Sequence, residues 1–244
     1  PSFYDVEYNG DGTVKSVTPN VAEDPAKVKK RIIKDFDKVY FPDSFVVPFT
    51  SIVHDRAVIE VLRGCIRGCR FCQAGFIYRP FREKNIDTIT NETKCLCQQT
   101  GYEEVSLSSL STSDYTKINE LLEKLSDYTD EEKINLSLPS LRIDNFSKEL
   151  IDRIAAVRKS GLTFAPEAGT QRLRDVINKN ITGDEIMRTC RLAFDEGYQT
   201  VKLYFMLGLP EETMEDVESI AKLAQDIVDL YYETPKEKRG KNIQ

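Results

Sequence analysis

The sequence predicts an α/β fold: a partial barrel of parallel strands, about five strand–helix units, behind an N-terminal hairpin and linker. Three observations lead there. From Ala57 onward, short β-branched runs alternate with longer stretches of helical periodicity, as in a parallel sheet with helices outside. The strands are not the continuous apolar runs of a sheet buried on both faces; apolar residues alternate with polar ones. The polar face carries Ser106, Ser108, Asn135, Ser137 and Thr163, small residues that imply a wetter, roomier interior than the Val, Ile and Leu filling of a closed eight-stranded barrel. That suits an incomplete barrel around a large polar ligand. A half-exposed antiparallel sheet would alternate too, but helical spacers fit it poorly.

The elements follow in order. Phe3 to Tyr8 and Thr13 to Val17 alternate around Asn9-Gly10-Asp11-Gly12, a hairpin signal. Asp24 to Asp37 reads as a solvated connector, with a short helix through Val28, Ile32, Ile33 and Phe36 as the alternative, and Pro42 and Pro48 punctuate an extended stretch. Residues 1–52 are thus a hairpin and linker, and 53–244 the core. Ala57 to Leu62 is the first core strand, interrupted by Glu60; Glu103 to Leu110 is the second, with Val105 and Leu107 opposing the serines. Ser113 is placed to cap a helix with Ile118, Leu121, Leu122 and Leu125 on one face. Lys133 to Ser140 is the third strand, followed by a helix on Phe146, Leu150, Ile151, Ile154 and Val157 that Gly161 ends. The fourth strand, Leu162 to Glu167, sets Leu162 and Phe164 against Thr163, Ala165 and Glu167. Two helical pieces follow, the second opened by the capping box Thr182-x-x-Glu185 and closed at Gly197. In the fifth strand, Gln199 to Leu207, Val201, Leu203 and Phe205 oppose Lys202, Tyr204 and Met206. A last helix, Thr213 to about Tyr231, is expected to bury Met214, Val217, Ile220, Ala224, Ile227 and Val228.

The chemistry centres on Arg63-Gly64-Cys65-Ile66-Arg67-Gly68-Cys69-Arg70-Phe71-Cys72-Gln73-Ala74-Gly75, in the loop leaving the first core strand. Strand exits are where α/β folds place their sites. Three thiols so close fit an iron–sulfur cluster, held by cysteine thiolates from one wrapping loop. A zinc site needs a fourth ligand, for which the single histidine, His54, is available but lies before the strand. A Cys69/Cys72 redox pair leaves Cys65 idle. Gly64, Gly68 and Gly75 would let the backbone approach a bulky cofactor, and Phe71 would cover one side of it. Cys95, Cys97 and Cys190 fall in helical stretches and read as structural.

The pattern Cys65-x3-Cys69-x-Phe71-Cys72 resembles the signature of the radical S-adenosylmethionine (radical SAM) superfamily. The longer run from His54-Asp55-Arg56 through Gln73-Ala74-Gly75-Phe76-Ile77-Tyr78-Arg79-Pro80 resembles uncharacterised members with a cobalamin-binding domain ahead of the barrel. The resemblance implies a partial (β/α)6 TIM-like barrel in which Cys65, Cys69 and Cys72 hold three irons of a [4Fe-4S] cluster and the fourth iron chelates S-adenosylmethionine (SAM). It implies a 5′-deoxyadenosyl radical that abstracts hydrogen from substrate, and an electron donor such as flavodoxin or ferredoxin. In a full-length parent it implies cobalamin-assisted methyl transfer as the alternative. By the same resemblance Ser108 and Ser109, standing where members carry Gly-Gly-Glu, would meet the SAM amino group. Arg142 would pair with its carboxylate, Glu167 would accept from the ribose hydroxyls, and the Gly208–Pro210 turn would abut the adenine. A sixth strand is expected beyond Gln244. The competing reading of the cysteines is a non-enzymatic zinc-binding scaffold.

At 244 residues and 40% hydrophobic content the chain can bury a full core, and its net charge of −6 argues against a dominant nucleic-acid surface. Arg67, Arg70, Arg79 and Arg82 nevertheless form a local basic cluster, suited either to a phosphate-bearing substrate such as RNA or to balancing nearby negative charge. Lys202 and Tyr204 on the inner face are too generic to name a substrate. No apolar run approaches the ~18 residues of a membrane span, no signal peptide is expected, and clustered cysteines outside any disulfide framework point to the reducing cytoplasm.

Overall fold

In the computed structural model, which describes residues 3–139, 142–145 and 162–237, the first residues form an antiparallel pair, β1 (Tyr4–Tyr8) and β2 (Val14–Pro19). Gly12 takes φ +82° and its N–H donates to Asn9 O at 3.0 Å, while Asp11 Oδ1 accepts from Thr13 N and Oγ1 at 3.0 and 2.7 Å. The chain divides into two compact units, Pro1–Asp35 and Phe36–Gln244. The alternative helix over Asp24 to Asp37 does not form. Pro25 and the like charges of Lys27, Lys30, Arg31 and Lys34, three and four residues apart, disfavour it.

In the second unit, Phe36 is buried against Arg63, whose guanidinium lies 5.0 Å from its ring centroid. Strand β3 (Ala57–Glu60) leads into β4 (Leu62–Arg63), then the single-turn helix α1 (Ala74–Ile77) and β5 (Arg82–Glu83), which returns antiparallel to β4. The predicted first core strand is therefore two pieces, broken where β4 leaves to pair with β5. Helix α2 (Ile86–Thr100) and strand β6 (Glu104–Ser108) follow, then a 3-10 turn at Thr112–Asp114. Helix α3 (Ile118–Glu132) begins after Lys117, so Ser113 is not its cap; Ser113 Oγ instead accepts from Arg142 N at 3.0 Å. Strand β7 is Asn135–Ser137. The helix expected on Phe146, Leu150, Ile151, Ile154 and Val157 with its stop at Gly161 lies outside the described residues, as do Ser140 and the end of the tail. Beyond come β8 (Leu162–Glu167), α4 (Gln171–Val176), α5 (Gly183–Asp195), β9 (Val201–Phe205) and α6 (Met214–Glu233).

Strands β3, β6 and β7 form a parallel sheet in that order, and β8 pairs with β9, also parallel. The alternation read from the sequence decides what each face meets. Leu162 and Phe164 are buried while Thr163 is exposed; Val201, Leu203 and Phe205 pack on the core while Lys202 and Tyr204 are exposed. Leu96, Leu121, Leu122, Leu125, Ile186, Phe194, Ile227 and Tyr231 supply the helical side of that core. The capping box at Thr182 forms as expected, and Gly197 at φ +84° follows α5.

Helix α6 buries a different stripe from the one expected. Met214 and Ala224 are exposed, whereas Asp216, Leu223, Ile227, Leu230 and Tyr231 are buried. The stripe is in phase with an acidic residue, which hydropathy reading excludes from a core. Asp216 is buried because it has partners: its carboxylate accepts from Thr213 N and Oγ1 at 2.8 Å each, from the Thr170 hydroxyl and from Arg172. Next to it Gly169 lies so close to α6 that a Cβ would stand 2.5 Å from Ile220 N and 2.6 Å from Asp216 O. Glycine is required there by the approach of the two backbones. Among the described residues no helix is long and apolar enough to cross a membrane.

The Thr170 hydroxyl, opposed by desolvation and reinforced by Thr213 and Arg172, holds the Asp216 carboxyl well below the usual carboxylate range. A depressed folded-state value stabilises above the unfolded carboxylate pKa of about 4, and that contribution is lost as pH falls through the folded value. Asp216→Asn should therefore lower the melting temperature at pH 7, and the gap from the parent should narrow as the pH is taken below about 4. Thermal melts of both proteins across acid pH check this.

Candidate functional site

The cysteine loop begins where Gly64, at φ +95°, turns the chain out of β4. A Cβ at Gly64 would meet Tyr78 O at 2.8 Å, Pro80 O at 2.9 Å and Phe81 Cα at 3.0 Å. The glycine expected to admit a cofactor thus admits the chain's own returning backbone. Cys69 is buried, and Cys65 and Cys72 are partly so. Arg67 N donates to Cys65 Sγ at 3.4 Å, and Cys72 N donates to Cys69 O at 3.1 Å. Burial pushes the Cys65 thiol up, with the Arg67 amide acting the other way.

Four charges lock this loop to the strand exits. Arg67 donates through Nη2 to Asp114 Oδ1 at 2.5 Å and through Nε to Asp114 Oδ2 at 3.1 Å, and its Nη1 lies 2.9 Å from Asp144 Oδ2. Arg142 Nε donates to Asp144 Oδ1 at 2.9 Å. Asp114 follows β6 and Asp144 follows β7. Burial opposes the charge on Asp114, but Arg67, helped by Arg142, outweighs it and holds the carboxyl below its usual range.

From the other side the α4–α5 connection braces the loop. Arg70 N donates to Ile177 O at 2.9 Å, Arg70 Nη1 to Val176 O at 2.5 Å, and Asn178 Nδ2 to Gly68 O at 2.7 Å. Lys179 is buried; its Nζ donates to Glu167 Oε1 at 3.0 Å and lies 5.8 Å from the Phe71 ring centroid.

The predicted residues fall into three groups. Arg142 and Glu167 are brought to the cysteine loop, which carries Phe71, through Lys179 and the charge network: Arg142 Nη2 also donates to Lys179 O at 3.3 Å. Glu167 does not arrive there by strand alternation. Between Phe164 and Glu167 the register slips, so that Glu167 pairs with Phe205 out of phase with Thr163, and its φ is +68°. Pro166 has no N–H to give the ladder, and such a bulge re-aims the side chain that follows. Ser108 and Ser109 line a separate cavity of about 390 Å³ with Glu60, Leu62, Arg63, Gly64, Tyr78 and Leu110. There Ser109 Oγ accepts from Ser111 N at 3.1 Å and Glu60 is held by Arg63 at 2.6 and 2.7 Å. Gly208 and Pro210 are exposed in the turn after β9, where Gly208 N donates to Glu212 Oε2 at 2.8 Å; between them Leu209 packs with Ala168, Leu173 and Ile177.

Asp114, Asp144, Asn178 and Lys179 escaped the sequence reading. Only the last pair left a signal: Asn178 and Asn180 flank Lys179 at φ +55° and +53°, and asparagine tolerates the left-handed region better than most residues. The basic cluster is engaged with the chain itself. Arg67 balances the two aspartates, Arg79 stacks 4.7 Å over Phe76, and Arg82 Nε donates to Pro80 O at 3.0 Å. His54 Nδ1 shares a hydrogen bond of 3.0 Å with Arg56 Nη2. Cys97 and Cys190 are buried within helices, as expected of structural cysteines, and Cys95 is partly buried.

Among the described residues no three His, Cys, Asp or Glu side chains gather about one point as a single-ion site requires. A cubane takes one thiolate per iron, and three thiols on one braced loop fit that donor set. A model of the radical SAM superfamily matches residues 59–224, a span that includes all three cysteines of the loop. The chain belongs to the radical SAM superfamily. Members are enzymes that use a [4Fe-4S] cluster and SAM. The chain is 37% identical over 170 residues to an uncharacterised protein of Methanocaldococcus jannaschii, covering 70% of this chain and 37% of the relative. It is 28% identical over 195 residues to the ribosomal protein uS12 methylthiotransferase RimO of Leptospira biflexa, covering 73% and 42%. The chain thus spans less than half the length of these relatives. Its fold is shared with the radical SAM methyltransferase TsrM of Kitasatospora setae, solved with cobalamin and a [4Fe-4S] cluster, at TM-score 0.57, 16% identity and coverage of 70% of this chain and 34% of that one. The cobalamin-dependent radical SAM enzyme OxsB covers 98% of this chain and 33% of its own at TM-score 0.56 and 15% identity.

Gly64→Ala removes no thiol, yet the added methyl clashes with backbone at a positive φ, a strain of roughly 1–3 kcal/mol. The variant should bind markedly less iron than the parent on anaerobic reconstitution, by colorimetric iron and sulfide assay, although all six cysteines remain.

Proposed function

We propose that Cys65, Cys69 and Cys72 hold the [4Fe-4S] cluster and that the chain is the catalytic core of a radical SAM enzyme. The observation that supports this most directly is three thiols on one strand-exit loop, pinned on one side by the Arg67–Asp114–Asp144 bridge and on the other by Ile177 and Asn178. When bound in its reduced state, the cluster would supply the single electron for the reductive cleavage of SAM and so the means of hydrogen abstraction from a substrate. The chain's own residues bind and orient. Glu167, at the end of β8, accepts from the ribose hydroxyls. Ser108 and Ser109, in the cavity beside Gly64, face the amino acid end, and Arg142, whose Nε and Nη2 donate to Asp144, offers its remaining Nη1 to a carboxylate. Phe71 shields the loop beside Cys72, and the Gly208–Pro210 turn backs the adenine.

A second reading, cobalamin-assisted methyl transfer in a longer parent, is supported by the shared fold with TsrM and OxsB. The name of the uS12 relative supports group transfer to a macromolecular substrate, and a phosphate-bearing substrate such as RNA suits Arg70 and Arg79, which stay exposed although each also donates within the chain. A flavodoxin or ferredoxin in the cytoplasm would supply the electron.

Reconstituted anaerobically, the protein should bind close to four irons and four sulfides and, with dithionite and SAM, release 5′-deoxyadenosine slowly even without substrate. Cys65→Ala, Cys69→Ala and Cys72→Ala should each abolish both, whereas Cys95→Ala, Cys97→Ala and Cys190→Ala should cost packing only. Stoichiometric zinc with no visible chromophore would favour the scaffold reading instead. Separately, Glu167→Ala should weaken SAM binding by roughly 1.5–3 kcal/mol, the range for a hydrogen bond to a charged group, as read by calorimetry.

A further inference from the structure

Lys179 is a buried charge to which the proposed function gives no role. It lies between α4 and α5, on a stretch bent twice into the left-handed region at Asn178 and Asn180. These bends fold its side chain inward, so that only 8% of the residue is exposed. Lysine is almost never buried without a partner, and here the partner is Glu167, at 3.0 Å. The backbone around it is fixed independently: Lys179 N donates to Arg174 O at 2.9 Å, and Lys179 O accepts from Arg142 Nη2 at 3.3 Å. The ammonium also stands over the ring of Phe71, a residue between Cys69 and Cys72 in the sequence. Glu167 itself projects from a bulged, left-handed strand end, where the backbone alone defines its direction poorly.

We propose that Lys179 is the positioning residue of Glu167: its ammonium, held between the Glu167 carboxylate and the Phe71 face, aims that carboxylate across the cysteine loop so that its second oxygen accepts from the ribose of SAM. One oxygen, Oε1, takes the lysine; Oε2 has no hydrogen bond among the described residues. This rests on the reading of Glu167 as the ribose contact. An ion pair defines direction where a bulge does not, because the carboxylate is drawn to one donor whose own stem is packed. Lys179 needs no contact with SAM to act this way.

A double-mutant cycle on the anaerobically reconstituted protein tests it, with SAM affinity read by calorimetry and iron content measured on every sample. Lys179→Met should weaken SAM binding about tenfold, in line with loss of a charged partner, with iron content retained. Lys179→Arg, which keeps the cation, should recover affinity to within about threefold of the parent. In a Glu167→Ala background Lys179→Met should add little, because the group it aims is gone. Unchanged affinity in Lys179→Met would overturn the proposal, as would an effect that adds fully to that of Glu167→Ala. Equal loss in the arginine and methionine variants would also overturn it, reducing Lys179 to packing. If Lys179→Met fails to hold iron, Lys179→Gln against Lys179→Arg decides: a parent-like glutamine variant overturns the proposal, and a weakened glutamine variant beside a parent-like arginine variant supports it. A Glu167→Ala protein that binds SAM like the parent would instead overturn the ribose reading itself, and the positioning role with it.

Discussion

One guanidinium holds the site together. Arg67 sits inside the cysteine loop and bridges Asp114, just after β6, to Asp144, just after β7. The Asp114 side chain is 1% exposed and that of Arg67 21%, so the pair is largely out of water. Buried ion pairs contribute modestly as wholes, but losing one partner strands the other and costs about 3–5 kcal/mol. The loop is therefore tied to two strand ends by an interaction that cannot be half removed cheaply. Arg142 closes the network on Asp144, and its own backbone amide is fixed by Ser113 in the turn that carries Asp114.

The opposite side of the loop depends on backbone geometry rather than charge. The α4–α5 connection runs close enough for Ile177 O and Val176 O to accept from Arg70 and for Asn178 to donate to Gly68 O. That connection is anchored from behind by Ile177 and Leu173, which pack with Ala168 and Leu209. Gly169 and Asp216 in turn bring the β8 exit hard against α6. A small set of close approaches thus links the helix layer to the strand exit that presents Glu167. The bulge at Pro166 sits in the middle of this chain of contacts, and it lets a residue at a strand end meet a lysine twelve positions later.

Much of the fold was legible because it follows local rules. Alternation at Leu162–Phe164 and Val201–Phe205 identified which residues meet the helices. The Thr182–Glu185 capping box and Gly197 marked both ends of α5 correctly. Local rules failed where a tertiary partner changed the outcome. Ser113 looked like a helix cap but is taken by Arg142 N, and the buried stripe of α6 was misphased because it contains Asp216, which four donors from three residues' side chains and one amide make tolerable in a core. The charged stretch after Pro25 carries like charges three and four residues apart, and it forms no helix.

For the site, the sequence by itself determined which three cysteines share one strand-exit loop and to which superfamily the chain belongs. Those facts are set by spacing within ten residues of one strand end. Only the tertiary structure decided what holds the loop and what aims the side chains around it. Arg67 meets Asp114 across 47 residues, and Gly68 meets Asn178 across 110. Nothing in the residue types names those pairings, since any arginine can pair with any carboxylate. They exist because the strand exits converge, and burial then makes each unpaired charge too costly to leave alone.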